Sequence, residues 1–166
     1  NDAPVNGLQA TTTSTNEDTN LVFGAANGNR VTVSDVDAGG NVIQMTVQVT
    51  SGDLTLSTLA GLTFVAGDGT QDAVITANGT LARWNTALNG LMFRPTSNFN
   101  GGVTLTVTSN DLGFTGAGGA KTDTDLIAIT GDLAEGHFHQ ISKMLEPLKN
   151  LKAPLGVFYI TGNHEY

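Results

Sequence analysis

Between Val42 and Val49 apolar and polar residues alternate, with Ile43, Met45, Val47 and Val49 on one face and Gln44, Thr46 and Gln48 on the other. Val103, Leu105 and Val107 alternate with Thr104, Thr106 and Thr108 in the same way. Shorter runs repeat the pattern: Leu54 with Leu56, Leu62 with Phe64, Val31 with Val33. Successive side chains of a strand point to opposite faces, so this period predicts antiparallel strands with one buried and one wet face. Between the runs lie Asn27-Gly28-Asn29, Asp37-Ala38-Gly39-Gly40, Gly67-Asp68-Gly69 and Asn100-Gly101-Gly102. These residues tolerate positive φ and mark turns. Many short strands with such punctuation predict a mainly β chain, an antiparallel β-sandwich over residues 1–130.

Two stretches follow a helical period instead. In 80–90, Leu81, Trp84 and Leu88 share a face, Thr80 offers an N-cap and Gly90 a stop. One short helix is therefore expected across an end of the sandwich, with Trp84 packed on the core. Further along, Ile141, Leu145, Leu148 and Leu151 recur at helical spacing and predict a helix over 139–151, kinked or restarted at Pro147. Ala153-Pro154-Leu155-Gly156 ends it, and 157–161 reads as a buried strand. Joined to the apolar run 126–130, these elements would form a strand–helix–strand unit, an appendage from an α/β fold. Residues 126–130 could serve either neighbour. We assign them to the sandwich, which otherwise lacks its last strand.

Composition sharpens the division. Before Lys121 there is no lysine and no histidine, whereas Lys143, Lys149, Lys152, His137, His139, His164 and both tyrosines follow it. This shift predicts a module over 1–130 and a second segment over 131–166, shorter than the roughly 40 residues that usually fold unaided. The net charge of −8 in 166 residues disfavours nucleic acid and anionic membranes as partners and suits divalent cations. Absence of cysteine excludes disulfides and thiolate sites. No apolar run approaches the roughly 18 residues of a membrane span, so no membrane insertion is expected in this segment. The chain opens on Asn1-Asp2-Ala3-Pro4-Val5, without a methionine, and reads as a piece of something longer.

Glu17, Asp18, Asp35, Asp37 and Asp111 fall in predicted loops and are candidate calcium ligands. Calcium takes six to eight oxygens at roughly 2.3–2.6 Å, so several carboxylates and carbonyls must converge. Asp35 and Asp37 share one side of an extended backbone, which suits a common ion.

Several strings resemble one family. They are Asn16-Glu17-Asp18-Thr19, Val33-Ser34-Asp35-Val36-Asp37-Ala38-Gly39-Gly40, Gly61-Leu62-Thr63-Phe64, Pro95-Thr96-Ser97-Asn98-Phe99-Asn100-Gly101 and Thr108-Ser109-Asn110-Asp111-Leu112-Gly113. Residues 1–130 resemble the cadherin-like and Ig-like tandem repeats of large bacterial secreted adhesins, with Asn1-Asp2-Ala3-Pro4-Val5 similar to their linkers. That resemblance implies a secreted or cell-surface structural and adhesion module, often stiffened by calcium. Its partners would be neighbouring repeats or a cell-surface ligand.

Beyond 130 the strings Gly131-Asp132 and Gly162-Asn163-His164-Glu165 each follow a predicted strand. Ligand sites of open parallel sheets gather at such strand ends. An aspartate and an asparagine are hard oxygen ligands for Mn, Mg, Fe or Zn. These blocks resemble those of the calcineurin-like metallophosphoesterases. The resemblance implies Asp132 as the carboxylate bridging two metals, Asn163 as a ligand to one, and His164 as the catalytic group at the leaving oxygen. It also implies metals about 3.5–4 Å apart that clamp attacking and leaving oxygens. His137 and His139 match no block and read as solvated loop residues. The family's Asp-x-His block and later histidines have no counterpart here, so the chain is expected to be catalytically incomplete. The expected function is an extracellular module fused to an incomplete phosphoesterase segment. The alternatives are a fragment of a phosphoesterase that carries such a module, and a join at a shared string with no function as a unit.

Overall fold

The structure, a computed structural model, describes residues 1–114 and 117–130. The helix expected at 139–151 and the strand expected at 157–161 lie outside these residues. In chain order come β1 (Val5–Leu8), β2 (Thr12–Ser14), β3 (Leu21–Val22), a 3-10 turn (Ala25–Asn27), β4 (Val31–Ser34) and β5 (Val42–Val49). They are followed by β6 (Asp53–Thr55), β7 (Thr63–Ala66), β8 (Thr70–Asp72) and β9 (Val74–Thr80). Helix α1 (Leu81–Leu88), β10 (Met92–Arg94), β11 (Val103–Asn110) and β12 (Thr122–Thr130) complete the described chain, which is mainly β.

The clean alternation of β5 and β11 puts both near the middle of a six-stranded sheet, in the order β2-β12-β11-β5-β9-β7. A four-stranded sheet, β3-β10-β6-β8, and the pair β1-β4 complete the architecture. Ile43, Met45 and Val47 of β5 face inward with Leu105 and Val107 of β11, Ile75 and Ala77 of β9, and Ile127 and Ile129 of β12. They form one buried cluster with Leu54, Phe93, Val31 and Val33 from the other sheets. Removing this apolar area from water is the main force holding the layers together. The opposite face of the large sheet is uncharged and wet, its hydroxyls paired across strands: Thr46 with Thr76 at 2.9 Å and Thr108 with Thr124 at 3.1 Å.

The helix forms where its signals stand. Thr80 Oγ1 accepts from Arg83 N at 3.4 Å as the N-cap, and Gly90 takes φ 106 just past the C-terminal end, a conformation suited to glycine. Trp84, Ala87 and Leu88 are buried. Asn85 does something the pattern does not announce. Its Oδ1 accepts from Val33 N at 3.0 Å and its Nδ2 donates to Val33 O at 2.8 Å. The amide thereby supplies β4, whose other edge pairs with β1, with what a neighbouring strand would have supplied.

Strand β12 pairs antiparallel with β11 from Val103↔Ile129 to Asn110↔Thr122, and parallel with β2 at Ala128↔Thr12 to Thr130↔Ser14. The run 126–130 therefore lies in the large sheet. Strand β11 runs towards Asp111 and β12 runs back, so Asn1 and Asp111 share one end while Thr130 reaches the other.

Leu105 sits fully buried between β5 and β12. Leu105→Ala should destabilise the fold by about 2–5 kcal/mol, read as a lower urea midpoint at unchanged slope. A loss under about 1 kcal/mol would mean that the site collapses around the deletion.

Candidate functional site

Three of the five calcium candidates meet at the Asn1 end. Asp35 Oδ1 accepts from the N–H groups of Asp37 and Ala38, both at 3.0 Å. Asp37 Oδ2 accepts from Asp2 N at 3.0 Å and pairs with the amine of Asn1 at 3.3 Å. Asp111 Oδ1 accepts from Lys121 N at 2.7 Å and Gly113 N at 3.0 Å. Lys121 Nζ donates to the carbonyl of Asn1, and Asn1 Nδ2 to Gly119 O at 2.6 Å. Asp35 Oδ2 and Asp111 Oδ2 are buried without a hydrogen-bond partner among the described residues. Burial opposes ionisation of Asp111, but the backbone N–H groups of Lys121 and Gly113 outweigh it. Together with the Asn1 side chain they hold its carboxyl below the ordinary 3.8, against the charge of Asp37.

The other two candidates do not join them. Asp18 Oδ1 accepts from Asn98 N at 2.9 Å, ahead of β11, whereas Asp111 follows the end of that strand. Eight residues of strand span roughly 24 Å, so Asp18 and its neighbour Glu17 lie at the opposite end and one ion cannot collect all five. A loop's position in sequence does not say which end of a strand it caps. Among the described residues no three His, Cys, Asp or Glu side chains are arranged to hold a metal ion.

Next to the Asp111 end lies a partly buried polar cluster that the alternation conceals. The inward positions of β12 before Ile127 are Asp123 and Asp125, opposite Ser109 and Val107. Asn6 N donates to Asp123 Oδ2 at 2.8 Å, and Asn6 Nδ2 to Val107 O at 3.4 Å. Asn6 Oδ1 and Ser109 Oγ are buried without partners among the described residues. Burial first, and then the charge of Asp123, raise the Asp125 carboxyl above 3.8, partly opposed by the Asn6 side chain.

At the far end Arg94 reaches Asp53 Oδ2 through Nη2 at 2.7 Å and Nε at 3.1 Å. Sequence reasoning missed this pair, because 41 positions separate the two residues and only the β6–β10 register joins them. Asp132, Asn163 and His164, with His137 and His139, lie outside the described residues. Among the described residues no helix is long and apolar enough to cross a membrane.

Three curated proteins match part of the chain, and each is named as a metallophosphoesterase. One from Caenorhabditis elegans is 60% identical over 42 residues, 25% of this chain and 9% of that protein. One from Helicobacter pylori is 43% identical over 46 residues, 28% of this chain and 12% of that protein, and a second strain has a similar match. The chain thus spans about a tenth of the length of these relatives. No family profile and no solved structure matches, so the resemblance of residues 1–130 to cadherin-like repeats gains no relative.

The two shifted carboxyls give opposite pH signatures. Asp111, lowered in the fold, contributes stability that is present above about pH 4 and lost as pH falls through its folded value. Asp125, raised in the fold, favours the fold below 3.8 and forfeits that contribution as pH rises through its folded value. Urea melts should therefore show Asp111→Asn destabilising near pH 7 and converging on the parent in acid. Asp125→Asn should stabilise near pH 7, its gain vanishing towards acid. Parallel curves for parent and both variants would refute the assignment.

Proposed function

We propose that this chain is part of a metal-dependent phosphoesterase, a hydrolase of phosphate esters, that carries a β-sandwich module. The observation that carries the reading is the local identity to three metallophosphoesterases, 60% over 42 residues in the nematode protein. It is joined by the strings Gly131-Asp132 and Gly162-Asn163-His164-Glu165. The donor chemistry fits a hard divalent metal, since Asp132 offers a carboxylate and Asn163 an amide oxygen. When bound, a metal pair supplies Lewis acidity and a nucleophile available near neutral pH. Asp132 and Asn163 would be among the residues that hold the metal, and His164 would give a proton to, or hydrogen-bond, the leaving oxygen. Two oxygen ligands do not complete a dinuclear site, so the remaining ones come from other residues of the whole protein.

The test follows manganese and turnover together. Mn2+ titrations of a longer protein that contains this chain, read by the EPR signal of free ion, should show binding that Asp132→Ala and Asn163→Ala weaken without moving the thermal melt of the β unit. In a longer protein containing this chain, hydrolysis of bis(p-nitrophenyl) phosphate or p-nitrophenyl phosphate should fall at least about 100-fold with Asp132→Ala. Binding and turnover indifferent to both substitutions would end the reading.

A second reading concerns the module itself. Asp35 Oδ2 and Asp111 Oδ2, buried and unpartnered beside Asp37, favour a hard cation at the Asn1 end. These carboxylates fall short of calcium's six to eight oxygens, so a calcium ion there would need ligands from an adjoining module. On this reading the β unit is a cadherin- or Ig-like spacer at the cell surface or in a secreted protein, joined to its neighbours through that ion. Calcium at 100 times its dissociation constant should add about 2.7 kcal/mol of stability, visible as a raised melting temperature. The rise should disappear in Asp111→Asn. An unchanged melt at millimolar calcium would reject the cation.

A further inference from the structure

At the end of the β unit opposite Asp111, the loops before β3, before β6 and after β10 line an open cleft of about 500 Å3. Asp18, Asn20, Asp53, Arg94, Thr96 and Ser97 line it, with Pro95 as an apolar flank. Its size lies within the roughly 300–1,000 Å3 typical of small-molecule sites. Its floor is rigid. Asp53 takes Nε and Nη2 of Arg94, and Gln71 Oε1 accepts from Nη2 at 3.1 Å, so the guanidinium is fixed with Nη1 left over among the described residues. Asp53 holds Arg94 through Oδ2 alone, its Oδ1 being buried without a hydrogen-bond partner among the described residues, so it serves the cleft as a positioning residue for Arg94.

The rim is held as firmly. Asn98 N binds Asp18 Oδ1, leaving Asp18 Oδ2 for something else, while Asn20 Nδ2 has only a 3.4 Å contact to Met92 Sδ. Asp18, Gln71 and Asn98 take φ of 54, 58 and 56, which makes three of the four left-handed non-glycine residues in the described chain. Such conformations persist where surrounding structure over-determines them, and they gather at ligand sites.

The chemistry of the wall narrows the ligand. An anion would find Arg94 already neutralised by Asp53 and would face a second carboxylate at Asp18. A divalent cation would find a guanidinium beside too few carboxylates, in keeping with the absence of any metal-competent triad among the described residues. An apolar ligand would meet aliphatic stems and one proline but no aromatic or branched aliphatic side chain. A hydroxyl group both donates and accepts, and here a carboxylate oxygen, an amide and a guanidinium N–H stand together, beside the Thr96 hydroxyl, which pairs with Ser51 Oγ and Gly52 N, and the Ser97 hydroxyl, which accepts from Asn98 Nδ2. We propose that this cleft binds a neutral, hydroxyl-rich ligand, a monosaccharide unit of a glycan.

The test is an amide NMR titration of the 166-residue chain with methyl glycosides of glucose, galactose, mannose and N-acetylglucosamine. At least one should shift the amides of Gly52, Thr96 and Ser97 with Kd of about 1–10 mM, the range of a small polar ligand in an open site. Asp18→Asn keeps the acceptor for Asn98 and should keep the melting temperature. It should nevertheless weaken binding about fivefold or more, because a charge-assisted bond is roughly twice as strong as a neutral one. Arg94→Lys should weaken it also, and Asp132→Ala should leave it unchanged, which separates this site from the phosphoesterase reading. The proposal fails if no glycoside moves these amides, if Asp18→Asn binds like the parent, or if calcium or inorganic phosphate shifts them more strongly than any glycoside.

Discussion

A β-strand has two hydrogen-bonding edges, and at Ala128 and Ile129 both edges of β12 are occupied, by β11 on one side and β2 on the other. The rest of the chain follows from that occupancy. Ile127 and Ile129 enter the core only while β12 keeps its register, because a slip of one residue would turn them outward and bring Leu126 and Ala128 in. The same register places Asp123 and Asp125 beneath β1, where Asn6 meets them. It also fixes the direction of β11, and with it the separation of Asp111 from the cleft at Asp53 and Arg94.

The parts of this architecture that were legible in the sequence are those where one residue's neighbours in sequence are also its environment. β5 and β11 announce themselves, since every inward position in Ile43–Val49 and Val103–Val107 is apolar and every outward one polar. Helix α1 was equally plain, because its cap, its buried stripe and its stop are all local. β2 and β3 were not, for two or three residues cannot display a period. The start of β12 was hidden differently. Its inward residues are carboxylates, so the alternation continues in space while polarity alone shows an acidic stretch.

The candidate sites were less legible than the fold. Asp35-Val36-Asp37 is a local signal, and its aspartates do gather near Asp111. Asp18 carries the same side chain and belongs to the other end, because strand direction decides the matter. Asp53 and Arg94 give no sign of each other in sequence; they become a pair only through the register Arg94↔Asp53. Contacts made by pairing across long separations are invisible to any reading that runs along the chain.

Occupancy of β12 also bears on how a phosphoesterase site could be assembled around this chain. A catalytic sheet that used 126–130 as one of its parallel strands would have to withdraw Ile127 and Ile129 from the core. Each loss of a large buried aliphatic side chain is worth about 2–5 kcal/mol, set against a total stability of about 5–15 kcal/mol for a domain. The pairing of Leu126–Ile129 with β11, half of that ladder, would be lost with them. The β unit thus has the stronger claim on the strand. A dinuclear site containing Asp132 would then have to draw its remaining ligands from strands other than β12, in the whole protein or in a second chain.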